Sequence, residues 1–598
     1  MSSSNYWVRI RDQRIPRRSA LAGASTVGLG AAALALAGCG GGGEGGAGSK
    51  ASDSRLGKPE DTTRQAVQGG TFQDYITTEV QTFDLARTSN FTAFNTVGWR
   101  IYGRLLRYNS GPLGEAITSK IEGDLAESFE VTQDGLTWTF KLRPNVKMQP
   151  VAPLNGRPLD IEDVRLSWER FIEGSPRRVR FDMVDSVSFP DARTMVFKNK
   201  FPYAPFGPLI ADTSSFWIMP KEVAKGEVDY RPVGAGTGPF ILENYQRGAF
   251  LRWKRNPNYF DAPRPYVETV EMPIITEYAQ RAAQFRAKNI DVFTPLEPDV
   301  LSMFNDLPDA TAWQGDFTLS QNYVLFPRNS APFGGQHGQP GGDVRLRRAL
   351  SMAFDRDTFI DVFRNVTPIR NAGFSVDVKW DNLLSPGWTF YLDPQDSKEM
   401  GYPEKAPGKW YKYDVAEAKK LLAAAGFPNG IDSEIHYSTI WTGDFTRRME
   451  VTRDMWREAG FRFDKLVGHE FQTDYLPNVI TKGDFNGVRL GPFTEYTEED
   501  QYWVSAFRPG TDRNPAGWDD PKVLDLIDKQ RREFDVEKRK RLNWDLQVYL
   551  SDNMYNIPWG GQATSGFTFT QPWVKNYRVY RQVPNSATYL WLDHTKRS

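Results

Sequence analysis

One cysteine stands in 598 residues, and its position constrains how the chain can be held together. With Cys39 alone there is no disulfide, no thiolate metal cluster and no cysteine nucleophile in the body, so any fold must rest on buried apolar surface. The residues before it are equally restrictive. Arg17-Arg18 is followed by an uncharged run from Ala20 to Ala37, rich in Ala, Leu, Gly and Val. A basic head, an apolar stretch and a small-residue end make residues 1–38 a signal peptide.

Leu36-Ala37-Gly38-Cys39 resembles a bacterial lipobox, which implies cleavage before Cys39 and a lipid anchor on its sulfur. Several acyl chains, at ~0.8 kcal/mol per buried methylene, would hold a protein firmly at a membrane surface. Pro16-Arg17-Arg18-Ser19-Ala20-Leu21 is similar to a twin-arginine export signal, with Ala20 where that motif prefers Phe. Residues 39–68 then read as the anchored cysteine and a tether, because the Gly- and Ser-rich stretch 40–54 cannot bury enough surface to fold.

The overall charge balance hides this leader. Lys plus Arg and Asp plus Glu are both 74. Five arginines and one aspartate fall in residues 1–38, so the remainder is slightly acidic. No broad attraction to nucleic acid is advertised, and nucleic acid is not an expected partner. A mean hydropathy of −0.53 excludes a multi-span membrane protein. Aromatics at 13% supply ample core for the roughly three to four domains such a length predicts.

Residue patterns place elements of both kinds. Thr137 to Leu142 alternates, with Trp138, Phe140 and Leu142 on one face, as a half-buried strand does. Phe240 to Leu242 and Leu251 to Lys254, joined through Gln246-Arg247-Gly248, read as a hairpin. Asp343 can cap a helix whose stripe is Leu346, Ala349, Leu350, Ala353 and Phe354, leaving Arg345, Arg347 and Arg348 largely solvated. Asp414 with Glu417 starts a second helix that Gly426 ends. Glu434 to Tyr437 is a strand, and 445–459 a third helix closed by Gly460. Strands alternating with helices make the class α/β.

Four blocks in order, LAESFEVTQDGLTWTFKLRPNVKM (125–148), GTGPFILENYQRGAFLRWKRNPNYF (236–260), DVRLRRALSMAFDRDTFI (343–360) and YDVAEAKKLLAAAGFPNG (413–430), resemble the extracytoplasmic solute-binding proteins of the peptide and nickel family of ABC importers, family 5. The resemblance implies a type II periplasmic-binding-protein fold with an extra lobe. The first lobe would comprise 69–104, 230–321 and 560–598, the extra lobe 105–229, and the opposing lobe 322–559, with hinge strands near 322 and 559. It also implies a monomer, outside the cytoplasm, anchored on the outer face of the cell membrane or held in the periplasmic space. Such a protein captures an oligopeptide or dipeptide between its lobes and delivers it to ABC permease subunits in the membrane. Neither a cofactor nor a metal is implied.

Within FNGVRLGPFTEYTE (485–498) the resemblance puts Glu495 where peptide-binding members carry an aspartate that meets the ligand's α-ammonium. Here Pro492 and Thr497 depart from the family pattern, as does the longer carboxylate. Tyr496 follows it. Phe471, Arg489 and Phe493 fall where members line the cleft, Tyr323 beside a hinge strand and Ser438 on a strand edge. The residues themselves leave alternatives open. Glu495 begins an acidic run with Glu498, Glu499 and Asp500 that reads equally as a solvated loop. Arg489 either receives a carboxylate or holds Glu495, and Phe471 and Phe493 either stack on a ligand or fill a core.

Catalytic readings find little support. The histidines at 337, 436, 469 and 594 are dispersed without zinc spacing. Gly234-Ala-Gly236-Thr-Gly238 lacks the Lys-Ser/Thr of a phosphate loop, and no Gly-x-Ser-x-Gly elbow occurs in the mature chain. A binding protein without enzyme activity is the expectation, its alternatives a non-peptide solute such as an oligosaccharide or metal chelate and, more remotely, a secreted glycoside hydrolase with paired carboxylates.

Overall fold

A computed structural model describes residues 56–88, 90–109, 120–226, 235–334, 342–395, 407–441, 443–493, 496, 498–511, 513–578 and 584–597. Among these, no helix is long and apolar enough to cross a membrane. The tether expected over 39–68 ends earlier than its composition suggests, for Gly57 N donates to Ala312 O and Thr62 N to Asn576 Oδ1 ahead of a 3-10 turn at Thr63–Gln65. The chain then enters β1 (Thr71–Gln73) and runs through an insertion built from β2 (Ala126–Val131), β3 (Thr137–Leu142), α1 (Ile161–Gly174), β4 (Val184–Asp191) and β5 (Thr194–Asn199). It returns through β6 (Phe240–Gln246), β7 (Phe250–Arg255) and β8 (Thr269–Pro273).

These strands form two four-stranded sheets, β1-β8-β7-β6 and β2-β3-β5-β4. Each closes a separate apolar core. Trp253, Phe240, Phe72 and Trp99 pack in one. Trp138, Phe140, Trp168 and Phe197 pack in the other. The alternation read at 137–142 is the observed pattern, with Trp138, Phe140 and Leu142 buried. The hairpin read at 240–254 is β6 and β7 paired antiparallel.

A third and larger core lies beyond. The chain passes through β9 (Val292–Phe293), β10 (Thr311–Gln314), β11 (Asn322–Leu325), α2 (Val344–Met352), α3 (Arg356–Phe363), α4 (Val415–Ala424), β12 (Ile431–Ser438), α5 (Asp444–Glu458), β13 (Phe461–His469) and β14 (Val488–Pro492). It closes with α6 (Glu499–Phe507), α7 (Pro521–Arg532), α8 (Val536–Asn553), β15 (Ile557–Pro558) and β16 (Phe567–Thr570). Residues from Ile275 to Phe326 share this core with residues from Leu346 to Phe569. Asp343 and Asp414 cap α2 and α4 as their sequences require, accepting from Arg345 N and Glu417 N. One expectation fails. Arg347 is buried, its guanidinium bonded to Gly342 O and Asn553 O and set over the Trp518 ring. A planar cation whose donors meet carbonyls and whose face meets an indole tolerates burial that a helical wheel does not foresee.

The five-stranded sheet of this body has the order β13-β12-β14-β11-β15. β12 runs parallel to β13 and β14, and β11 is antiparallel to both β14 and β15. Four carboxyl ends, at Ser438, His469, Pro492 and Pro558, therefore share one rim with the start of β11 at Asn322. Outside the carboxyl ends of such strands is where open α/β sheets take ligands. Gly487 sets β14 in register: its φ is +75°, and a Cβ there would lie 2.1 Å from Glu434 O. Gly487→Ala is expected to cost about 1–3 kcal/mol from the left-handed backbone alone, read as a lowered urea midpoint at unchanged m-value.

Candidate functional site

Along the rim runs a row of aromatic rings. Phe471 lies 5.9 Å from Tyr475, and Tyr475 meets Trp441 edge-on at 5.3 Å. Trp441 is 5.0 Å from Phe445, which meets Trp559 edge-on at 5.3 Å. Phe471, Trp441 and Phe445 are only half-buried, so the row presents ring surface as well as packing. Gly491 permits this: a Cβ would lie 2.7 Å from the Trp441 ring. Only a glycine lets the indole lie on the end of β14.

Arg489, on β14, underlies the row. It is 2% exposed. Its Nε donates to Tyr475 Oη at 2.5 Å and its Nη2 to Pro492 O at 2.9 Å. Burial pulls the guanidinium below its ordinary pKa and pushes the Tyr475 phenol above its own. Both groups hold each other at the sheet end, a buried cation whose two described partners are a hydroxyl and a carbonyl. A carboxylate reaching this point would meet a cation already stripped of water, where charge-assisted hydrogen bonds are strongest.

Of the residues singled out by sequence, Arg489 and Phe471 are brought together through Tyr475. Tyr323 is fully buried, its one hydroxyl proton shared between Gln321 Oε1 at 2.6 Å and Leu383 O at 2.7 Å, and Phe493 meets it edge-on at 6.0 Å. Both pack in the core. Tyr496 donates to Ser505 Oγ and lies under the Arg180 guanidinium at 5.5 Å. Ser438 is buried, its hydroxyl 3.4 Å from His469 O. Glu495, Cys39, Arg17 and Arg18 lie outside the described residues.

The reading of Glu498, Glu499 and Asp500 as a solvated acidic run is corrected. All three are at most 3% exposed. Glu498 pairs with Arg539, Glu499 accepts from Phe390 N, and Asp500 accepts from Tyr203 Oη at 2.6 Å and faces Arg531 at 3.3 Å. Their cations come from α7 and α8, more than thirty residues on. A charge run looks solvated in sequence because its partners are not beside it. Arg531 also reaches Asp182 at 3.1 Å, so the network ties the segment 182–203 to α6 and α7.

Sequence reasoning also missed a pairing of histidines it read as dispersed. His436 Nδ1 and His469 Nε2 are 2.8 Å apart, and His469 Nδ1 is 2.7 Å from Asp474 Oδ2. The parallel register of β12 and β13 sets His436 two pairs away from His469, on the same face of the sheet. Burial, ahead of the raising effect of Glu434, lowers the His436 pKa. Only the strand register, not a spacing motif, could have revealed the pairing. Among the described residues no group of three or more His, Cys, Asp or Glu is placed to hold a metal ion.

Comparison with known proteins agrees with this architecture. The model of the bacterial extracellular solute-binding proteins, family 5 (middle), matches residues 120–514. The chain is 25% identical over 498 residues to the dipeptide-binding protein of Escherichia coli, covering 77% of this chain and 83% of that one. It is 26% identical over 516 residues to heme-binding protein A of Haemophilus influenzae, covering 81% and 86%. A periplasmic binding protein of Helicobacter pylori, solved with the peptide STSA, superposes with a TM-score of 0.71 at 20% identity over 89% of this chain and 100% of its own. That likeness concerns the fold, which is α/β and of the type II periplasmic-binding-protein kind.

Proposed function

From the premise that this chain belongs to the bacterial extracellular solute-binding proteins of family 5, we propose that it is the capturing component of an ABC importer whose ligand is an oligopeptide or dipeptide. Members of the family are extracytoplasmic binding proteins, not enzymes. The observation that carries the peptide reading is the rim itself: a half-buried aromatic row above the dry guanidinium of Arg489, beside the two strands expected to act as hinges. Aromatic faces accept side chains of any kind, and a buried cation receives a carboxylate. Glu495, four residues beyond Gly491, supplies the complementary clamp for an α-ammonium, with Tyr496 beside it. Tyr323, Phe493 and Ser438, buried at or beside the ends of β11, β14 and β12, would shape the floor of the same cleft.

In this reading the lobes divide as 69–104 with 230–321 and 560–598, 105–229, and 322–559. Ligand buried between them favours the closed arrangement by its differential affinity. The chain is exported by residues 1–38 with Arg17-Arg18 as its twin arginine, held by lipid on Cys39, and hands its ligand as a monomer to permease subunits. A non-peptide solute is the second reading, favoured by the row of rings, which suits a flat or ring-shaped ligand. Titration calorimetry with tri-alanine and with maltotriose separates the two. One-to-one saturable binding of the peptide alone is expected; binding of the sugar alone overturns the peptide reading.

A further inference from the structure

Behind Trp559 lies a pocket lined by Asp381, Arg448, Arg364, Asn322, Gln562 and Trp559, among others. Asn322 begins β11 and Trp559 follows β15, so its walls belong to the same rim. Phe359 stands 6.0 Å from Trp559 and 4.7 Å from Phe363, forming an apolar side.

Most polar groups here are already matched. Arg364 Nη1 donates to Glu297 at 2.9 Å and Arg448 Nη2 to Asp444 at 2.5 Å. The Gln562 amide donates to Thr318 O and Ser320 O and accepts from Thr318 N. Two atoms remain buried without a hydrogen bond of normal geometry: Asp381 Oδ1, on a carboxyl that the Gln562 side chain also faces, and Arg448 Nε. Asp381 is 4% exposed. Burial pushes its carboxyl up to about 7, so at neutral pH about half the carboxyls keep their proton and no full negative charge demands a cation. The arginines already carry carboxylate partners and the aspartate is only partly ionised, so no full charge is left for a charged ligand group to neutralise. One acceptor and one donor left unmatched among rings ask for a neutral group carrying both functions.

Resting on the peptide reading above, we propose that this pocket is a specificity subsite for a neutral hydroxyl or carboxamide group of the ligand, which donates to Asp381 Oδ1 and accepts from Arg448 Nε. A site built to hydrogen-bond such a group rejects the analogue that lacks it, because its own buried atoms are then left unpaired. Peptide side chains and sugars can both bring this chemistry, so the test carries both.

Titration calorimetry on the full protein would compare tri-alanine peptides bearing Gln or the similarly shaped Met at each position, and a glucose disaccharide against its deoxy analogues. The expected result is at least ~10-fold tighter binding of one Gln peptide than of its Met counterpart. Asp381→Leu should erase that difference by bringing the Gln peptide down to the Met level, and Asp381→Asn, which keeps an acceptor oxygen, should preserve part of it. The wild-type comparison needs no variant to fold. Equal affinity of Gln and Met peptides at every position overturns the subsite and leaves the peptide reading intact. Failure of all peptides with Asp381-dependent preference for the intact disaccharide overturns the peptide reading and supports the subsite. If neither series binds, both fall.

Discussion

Replacing Arg539 with Met is expected to lower the unfolding free energy by about 3–5 kcal/mol at pH 8, the cost of leaving buried carboxylates without their cation. Arg539 faces Glu498, and its Nε lies 3.3 Å from Gln530 Oε1. Burial already pushes Glu498 up to about 8 and raises Glu499, in spite of the arginine. Removing the cation raises both further. A carboxyl with a raised folded-state pKa binds its proton more tightly folded than unfolded. Its favourable contribution is complete below the ordinary carboxylate range and fades as pH rises toward the folded value. The deficit should therefore grow as pH rises through the wild-type values, for Glu498 from about 8 upward, where Arg539 keeps ionised what the variant leaves protonated, and shrink markedly by pH 5, where both groups hold their protons with or without the arginine. Urea denaturation of wild type and variant at both pH values reads this. An equal deficit at pH 5 and pH 8 would assign the loss to packing against Phe390, over whose ring Arg539 sits at 5.3 Å.

The second large effect concerns the ligand. Glu495→Gln is expected to weaken peptide binding by about 2–5 kcal/mol, the loss that follows when one member of a buried charge pair is removed. That is roughly 30-fold at the lower end. The same substitution should leave binding of an N-acetylated peptide, which has no ammonium, nearly unaltered. The contrast isolates the charge clamp from general damage to the cleft. Equal losses for free and acetylated peptides would remove the clamp from Glu495.

How legible these features were depended on distance along the chain. The strand at 137–142, the hairpin at 240–255 and the helices begun by Asp343 and Asp414 rest on local alternation, turn residues and caps, and each stands where its sequence puts it. The buried state of Arg347 and of Glu498, Glu499 and Asp500 was not legible, because each charge is matched by groups remote in sequence. The site was legible in part. Arg489 and Phe471 were found through the family-like segments, but the rings that join them to Trp559 come from two separate stretches, Tyr475 from the helical segment Phe471–Lys482 and Trp441 with Phe445 from the entry to α5, that only the sheet brings together. The His436–His469 pair depends on the register of two parallel strands, which no spacing encodes.

Native mass spectrometry of the intact protein with a mixture of small peptides tests the central claim, that this rim captures a solute and does not transform it. One added peptide mass per chain is expected, released on denaturation with its composition unaltered. A chain that never carries an added mass, or one that returns shortened peptides, would contradict it.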